Sequence, residues 1–88
     1  TSRWNIYGSN GYFAPSANAT YDIGTTSARV RNIYVNDLQL SNEAKKDEGG
    51  NDVDGTWGDF TIQEGESDLY LINNRNGKKY KFNLTEVS

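Results

Sequence analysis

LYLINNRNGKKYKFNLT, residues 69–85, decides how this chain is read. Two runs of alternating character flank an Asn-Gly pair, Asn76-Gly77. Alternation sends successive side chains to opposite faces of a strand. Asn-Gly is the preferred pair for a two-residue type I′ hairpin loop. A hairpin centred on that pair sets Leu71 opposite Phe82, Leu69 opposite Leu84 and Asn73 opposite Tyr80. Ile72 then meets Lys81 and Tyr70 meets Asn83. One face is apolar and the other mixed, the signature of an antiparallel pair with one buried side.

Upstream, Phe60–Gln63 reads as a third strand, joined to the hairpin by EGESD (Glu64–Asp68). A three-stranded meander is marginal alone, and its apolar face needs a partner. The preceding stretch, SNEAKKDEGGNDVDGTWGD (residues 41–59), is polar, acidic and rich in glycine. It reads as loop, with one short turn at Asn42–Lys46. Asn32–Leu40 is expected as a strand, with Ile33, Val35, Asp37 and Gln39 on one face and Tyr34, Asn36, Leu38 and Leu40 on the other. Neither face is cleanly apolar. Residues 1–24 are punctuated by Gly8, Asn10, Gly11, Pro15, Asn18 and Gly24, leaving room for short extended pieces at Asn5–Tyr7, Tyr12–Phe13 and Tyr21–Ile23.

Composition sharpens the problem of the unpartnered face. Ile, Leu, Val and Phe together number 17 of 88 residues, a thin core for one small domain. A net charge of only -3 and 12% aromatics argue against disorder. With no Cys and no His, disulfides and the usual zinc ligands are excluded. Oligomerisation is the remaining way to complete the core. Charge is unevenly spread: residues 1–40 sum to +1, residues 41–68 to -7 and residues 69–88 to +3. No basic stripe favours nucleic acid, and no apolar run reaches the length of a membrane span, so neither nucleic-acid binding nor membrane insertion is expected.

Signals for chemistry are weak. There is no His or Cys from which to build a nucleophile and its base. Glu64 and Glu66 flank Gly65 and read as solvated turn charges rather than a glycosidase pair. NDVDG (Asn51–Gly55) resembles part of an EF-hand loop, but Gly50 and Thr61 stand where its first Asp and its bidentate Glu belong. A Gly/Asp turn is the better reading, and neither metal nor cofactor is expected. Asn18-Ala19-Thr20 and Asn83-Leu84-Thr85 match the glycosylation acceptor pattern, which is common by chance. Aromatic rings beside Asn, Asp and Gly are what sugar-binding surfaces use. Trp57 leads these, framed by Gly55 and Gly58, with Asp54, Asp59 and Asn51 nearby and Tyr12 and Phe13 further off. The competing reading, preferred here, makes such rings core between chains.

The chain also repeats itself. Ser2, Arg3, Trp4, Asn5, Ile6 and Tyr7 match Ser27, Arg29, Val30, Asn32, Ile33 and Tyr34 once a gap is allowed. The fuller copy, YDIGTTSARVRNIYVNDLQLS (residues 21–41), resembles a repeat of bacteriophage tail fibres and tailspikes, DLGSSSxRWxNIY followed by a Leu-x-Leu strand. Asp22, Ile23, Gly24, Ser27, Arg29, Asn32, Ile33, Tyr34, Leu38 and Leu40 carry the match, with Val30 in place of the usual Trp. The closing stretch, VDGTWGDFTIQEGESDLYLINNRNGKKYKFNLTEVS (residues 53–88), is similar to the carboxyl-terminal module of many phage fibre proteins. In such fibres three chains wrap around one axis. The resemblance implies a fragment of a longer fibre chain, starting mid-copy at Thr1 and closing on a natural end at Ser88. In many fibres the repeat precedes a self-cleaving chaperone. LQLSNEAKKDEGG keeps Ser41 but lacks the Asp-x-Arg of that junction, so Ser41 is not expected to be cut.

The expected fold is therefore all-β: an intertwined homotrimeric fibre segment followed by a small antiparallel meander. Residues 1–40 would be shaft repeat, 41–59 acidic loop and 60–88 the trimerisation or tip module. Ile33, Tyr34, Leu38, Leu40, Phe60, Ile62, Leu69, Leu71, Tyr80, Phe82 and Leu84 would pack between chains. The expected role is structural and adhesive, on the virion, supporting attachment to the host surface and not enzymatic. The alternative is the receptor-binding tip itself, reading cell-surface glycan, with a capsule-degrading tailspike a distant third.

Overall fold

The computed structural model describes residues 3–88, so Ser2 of the first repeat copy lies outside the described residues. The chain is all-β, with a two-stranded and a four-stranded antiparallel sheet and one three-residue 3₁₀ turn among the described residues. It divides into two compact units, residues 1–33 and 34–88.

In the first unit β1 (Trp4–Tyr7) and β2 (Tyr12–Pro15) form a hairpin. Trp4 lies diagonally across from Phe13, and the two rings stack with centroids 5.2 Å apart. The Arg3 guanidinium sits 5.6 Å from the Tyr21 ring centroid. Gly24–Ala28, the small-residue part of the repeat, is a tight turn held by Thr25, whose Oγ1 accepts the amides of Ser27 and Ala28. The extended pieces expected near Asn5–Tyr7 and Tyr12–Phe13 are thus one hairpin. The third, Tyr21–Ile23, is not a strand because no partner strand lies beside it.

The second unit is a sheet of order β3-β4-β5-β6. Its strands are β3 (Leu38–Ser41), β4 (Asp59–Glu64), β5 (Leu69–Asn73) and β6 (Lys79–Lys81). The meander expected from Phe60 onward is present, and β3 extends it by one strand at the β4 edge. The strand expected over Asn32–Leu40 is much shorter, since only Leu38–Ser41 finds hydrogen-bonding partners. The short turn expected at Asn42–Lys46 is the 3₁₀ turn Glu43–Lys45.

Hairpin register differs from expectation. Leu71 pairs with Tyr80 and Tyr70 with Lys81, a slip of two residues. The loop holds four residues, Asn74–Gly77, closed by the Gly77 amide on the Asn73 carbonyl at 2.8 Å. Asn73 selects this loop: its Oδ1 accepts the amides of Arg75 and Asn76, an Asx turn that reading Asn-Gly alone overlooks. Asn10-Gly11 closes the β1–β2 loop in the same manner, with the Gly11 amide on the Tyr7 carbonyl. Both glycines take positive φ, 75° and 78°, at the last loop position.

Because strand side chains repeat every two residues, the slip leaves each residue on its expected face. The apolar face carries Leu38 and Leu40, Phe60 and Ile62, Leu69 and Leu71, and Tyr80, with Phe82 just beyond β6 across from Leu69. Leu84, expected opposite Leu69, lies past the end of the sheet and is 69% exposed. Ile33 and Tyr34 lie outside any strand and are exposed. The opposite face is mixed, with Tyr70 and Ile72 among polar side chains that bind one another: Thr61 donates to Gln39 Oε1 at 2.7 Å and accepts from Asn74 Nδ2 at 2.9 Å. Gln63 donates to Asp37. Thr61, 6% exposed, is on this face, whereas no apolar side chain among the described residues is fully buried.

Candidate functional site

Antiparallel pairing brings the end of β3, the start of β4 and the end of β5 to one end of the sheet. The loop between β3 and β4 and the β5–β6 turn therefore meet there. Together they bound an open concavity of about 1080 Å³. Asn42, Asn51, Asp54, Trp57, Phe60 and Arg75 are among its walls.

The loop is a knot of side-chain to backbone hydrogen bonds. Asn51 Oδ1 accepts the amides of Val53 and Asp54 at 2.8 and 2.9 Å. Asn51 Nδ2 donates to Asp54 Oδ1 and to the Thr56 carbonyl. Asp54 Oδ1 also accepts from the Thr56 hydroxyl and amide. Asn42 fastens the knot to the sheet, accepting the Gly58 amide at 2.8 Å. Gly50 and Gly55 both take positive φ, letting the two backbone segments touch. The Gly/Asp turn reading of NDVDG is the one the geometry supports. Among the described residues no cluster of three or more acidic, His or Cys side chains could hold a metal.

These bonds act on the Asp54 carboxyl. The Thr56 hydroxyl, then the Asn51 amide, then the Thr56 backbone N–H hold it below its ordinary value of 3.8. Each donor favours the charged form. A lowered folded-state value makes the stabilisation complete above 3.8 and lost as pH falls through the folded value. An NMR carboxyl titration should therefore place the Asp54 midpoint below 3.8, and Thr56→Val should raise it towards that value. An Asp54 midpoint at or above 3.8 in the parent would show that these bonds do not persist in solution.

Trp57 is half-buried at the mouth of the loop. The Arg75 guanidinium lies 3.8 Å from its ring centroid, and Arg75 Nη1 donates to the Trp57 carbonyl at 2.9 Å. Stacking of this kind contributes about 0.5–1 kcal/mol at exposed sites. It links the two loops across β4 and β5. Sequence reasoning overlooked Arg75 because it lies 18 residues from Trp57. One signal was available: in a meander, the residues before one strand and after the next share an end.

Of the six candidate receptor contacts, Trp57, Asp54 and Asn51 come together in this concavity. Asp59 instead opens β4 on the mixed face, where its Oδ1 accepts from Asn74. Tyr12 and Phe13 belong to the hairpin of the other unit, both exposed, with Phe13 stacked on Trp4. Among the described residues no helix is long and apolar enough to cross a membrane. No protein-family model, curated protein or solved structure matches this chain.

Proposed function

We propose that this chain is a structural and adhesive segment of a trimeric bacteriophage tail fibre, carried on the virion, whose sheet module joins and caps three like-oriented copies in support of host attachment. The observation that carries this reading is the uncovered apolar face. Eight apolar side chains line up across all four strands, yet none is fully buried within one chain. Leu38, Leu40 and Tyr80 are each more than two-fifths exposed. A face of this kind marks an interface, and homo-oligomers complete such cores symmetrically. The repeat motif and the closing stretch supply the fibre setting by resemblance.

The tip reading draws support from the Trp57 concavity. It is the weaker because Arg75 covers one side of the ring, while Asp54 and Asn51 are engaged within the loop. Sedimentation equilibrium at micromolar concentration is the test. Three chain masses are expected; a folded monomer would overturn the proposal. Glycan-array binding by the trimer, lost in Trp57→Ala, would instead establish the tip reading.

A further inference from the structure

Both ends of the four-stranded sheet are open. Within one chain β3 and β6 are each paired on one side only, and their residues are exposed. The two edges differ in charge. Lys78, Lys79 and Lys81 border β6, and no acidic residue occurs between Arg75 and Thr85. Asp37 and Glu43 flank β3, with Asp47 and Glu48 in the turn beyond, against Lys45 and Lys46.

We propose that the β6 edge of one copy lies against the β3 edge of the next, head to tail, so that the sheets join laterally around the fibre axis. This rests on the trimer reading above and adds its contact. Strand parity supports it. Four strands alternate in direction, so β6 runs opposite to β3. In like-oriented copies around an axis along the strands, β6 therefore meets the neighbouring β3 antiparallel, continuing the alternation. An odd number of strands would have met in parallel.

Side-chain parity agrees. Lys81 pairs with Tyr70, and Gln63 bonds Asp37, which places Lys79, Lys81 and Asp37 on the same mixed face. With Lys81 opposite Asp37, antiparallel placement sets Lys79 opposite Gln39, and Glu43 lies in the turn just past the end of β3. Glu43 has an intrachain partner in Lys46 at 3.6 Å, but both side chains are about half exposed and the carboxylate remains accessible. Asp37 keeps an oxygen free beside its bond to Gln63.

Charge also selects against the alternative. Edge lysines discourage a strand from pairing with its own kind. A two-fold joint of β6 with β6 would oppose Lys79 and Lys81 to their copies. The head-to-tail joint opposes unlike charge, and heterologous contacts of this kind build a ring when the rotation between copies closes. With the apolar faces turned inward, the joined edges stand at the corners where the sheets meet.

Charge reversal in the full chain tests the joint. Lys79→Glu with Lys81→Glu should weaken trimer association at least tenfold in low salt. Asp37→Lys with Glu43→Lys should do the same. All four changes in one chain restore unlike edges and should return association to within threefold of the parent. Parent association should weaken as salt rises. Half-variants that assemble like the parent would overturn the joint and leave the trimer standing. Failure of the fourfold variant to recover would also overturn it. A monomeric parent would overturn the joint and the trimer together.

Discussion

Leu71→Ala should lower stability by about 2–5 kcal/mol per chain, the range for truncating a buried Leu. Leu71 is central on the apolar face, beside Ile62 on β4 and Tyr80 on β6. In one chain alone it is only half-buried, so truncation there would remove little. The full cost arises only when neighbouring copies cover the face. Each copy contributes, so the melting temperature should fall by more than about 8 °C at fixed concentration. It should also depend on concentration, as for any folded state stabilised by association. Thermal melts alongside sedimentation measure both. A Leu71→Ala melt matching the parent would mean that the face stays open to water.

Gly50→Ala should be nearly as damaging, for a different reason. Gly50 is buried, with φ at +65°. An added Cβ would sit 2.4 Å from the Gly55 carbonyl oxygen and 2.7 Å from that of Thr56. Both are backbone atoms, so no rotamer change relieves the contact. The left-handed conformation alone costs roughly 1–2 kcal/mol with a side chain; the clash should bring the total above about 2 kcal/mol. Gly77→Ala is the control. Its φ is +78°, but nothing lies within 4 Å of the added carbon, so only the conformational cost applies. Denaturant midpoints should rank the parent above Gly77→Ala and that above Gly50→Ala. Equal midpoints for the two variants would show that the knot opens at little cost.

Much of the sheet was legible because period-two alternation survives errors in register. Leu69, Leu71, Tyr80 and Phe82 fall on the apolar face whether the hairpin is centred on Asn76-Gly77 or slipped by two. The register itself was not legible from the turn pair. It is set by the Asn73 side chain, a donor–acceptor choice that composition does not reveal. The addition of β3 was overlooked because its partner, β4, lies about twenty residues on, across an acidic loop. Local pattern instead drew the strand backward to Asn32, where no partner exists. The knot at Asn51–Thr56 was recognised as a turn because Asn, Asp and Gly each have a reason to be there. The Arg75–Trp57 stack required knowing which strand ends are neighbours.

The two loop-closing hydrogen bonds bear on chemical ageing. Asn-Gly pairs are where polypeptides deamidate most readily, because the glycine amide nitrogen can attack the preceding side-chain amide to form a succinimide. Here both glycine amides are engaged, Gly11 with the Tyr7 carbonyl and Gly77 with that of Asn73, each at 2.8 Å. Asn76 Oδ1 is also held, accepting the Lys78 amide at 2.9 Å. Attack would require the nitrogen to abandon its carbonyl and the loop to open. The folded hairpins thus withhold the nucleophile that an unfolded chain would offer freely, so both Asn-Gly pairs are spared this damage for as long as their turns stay closed.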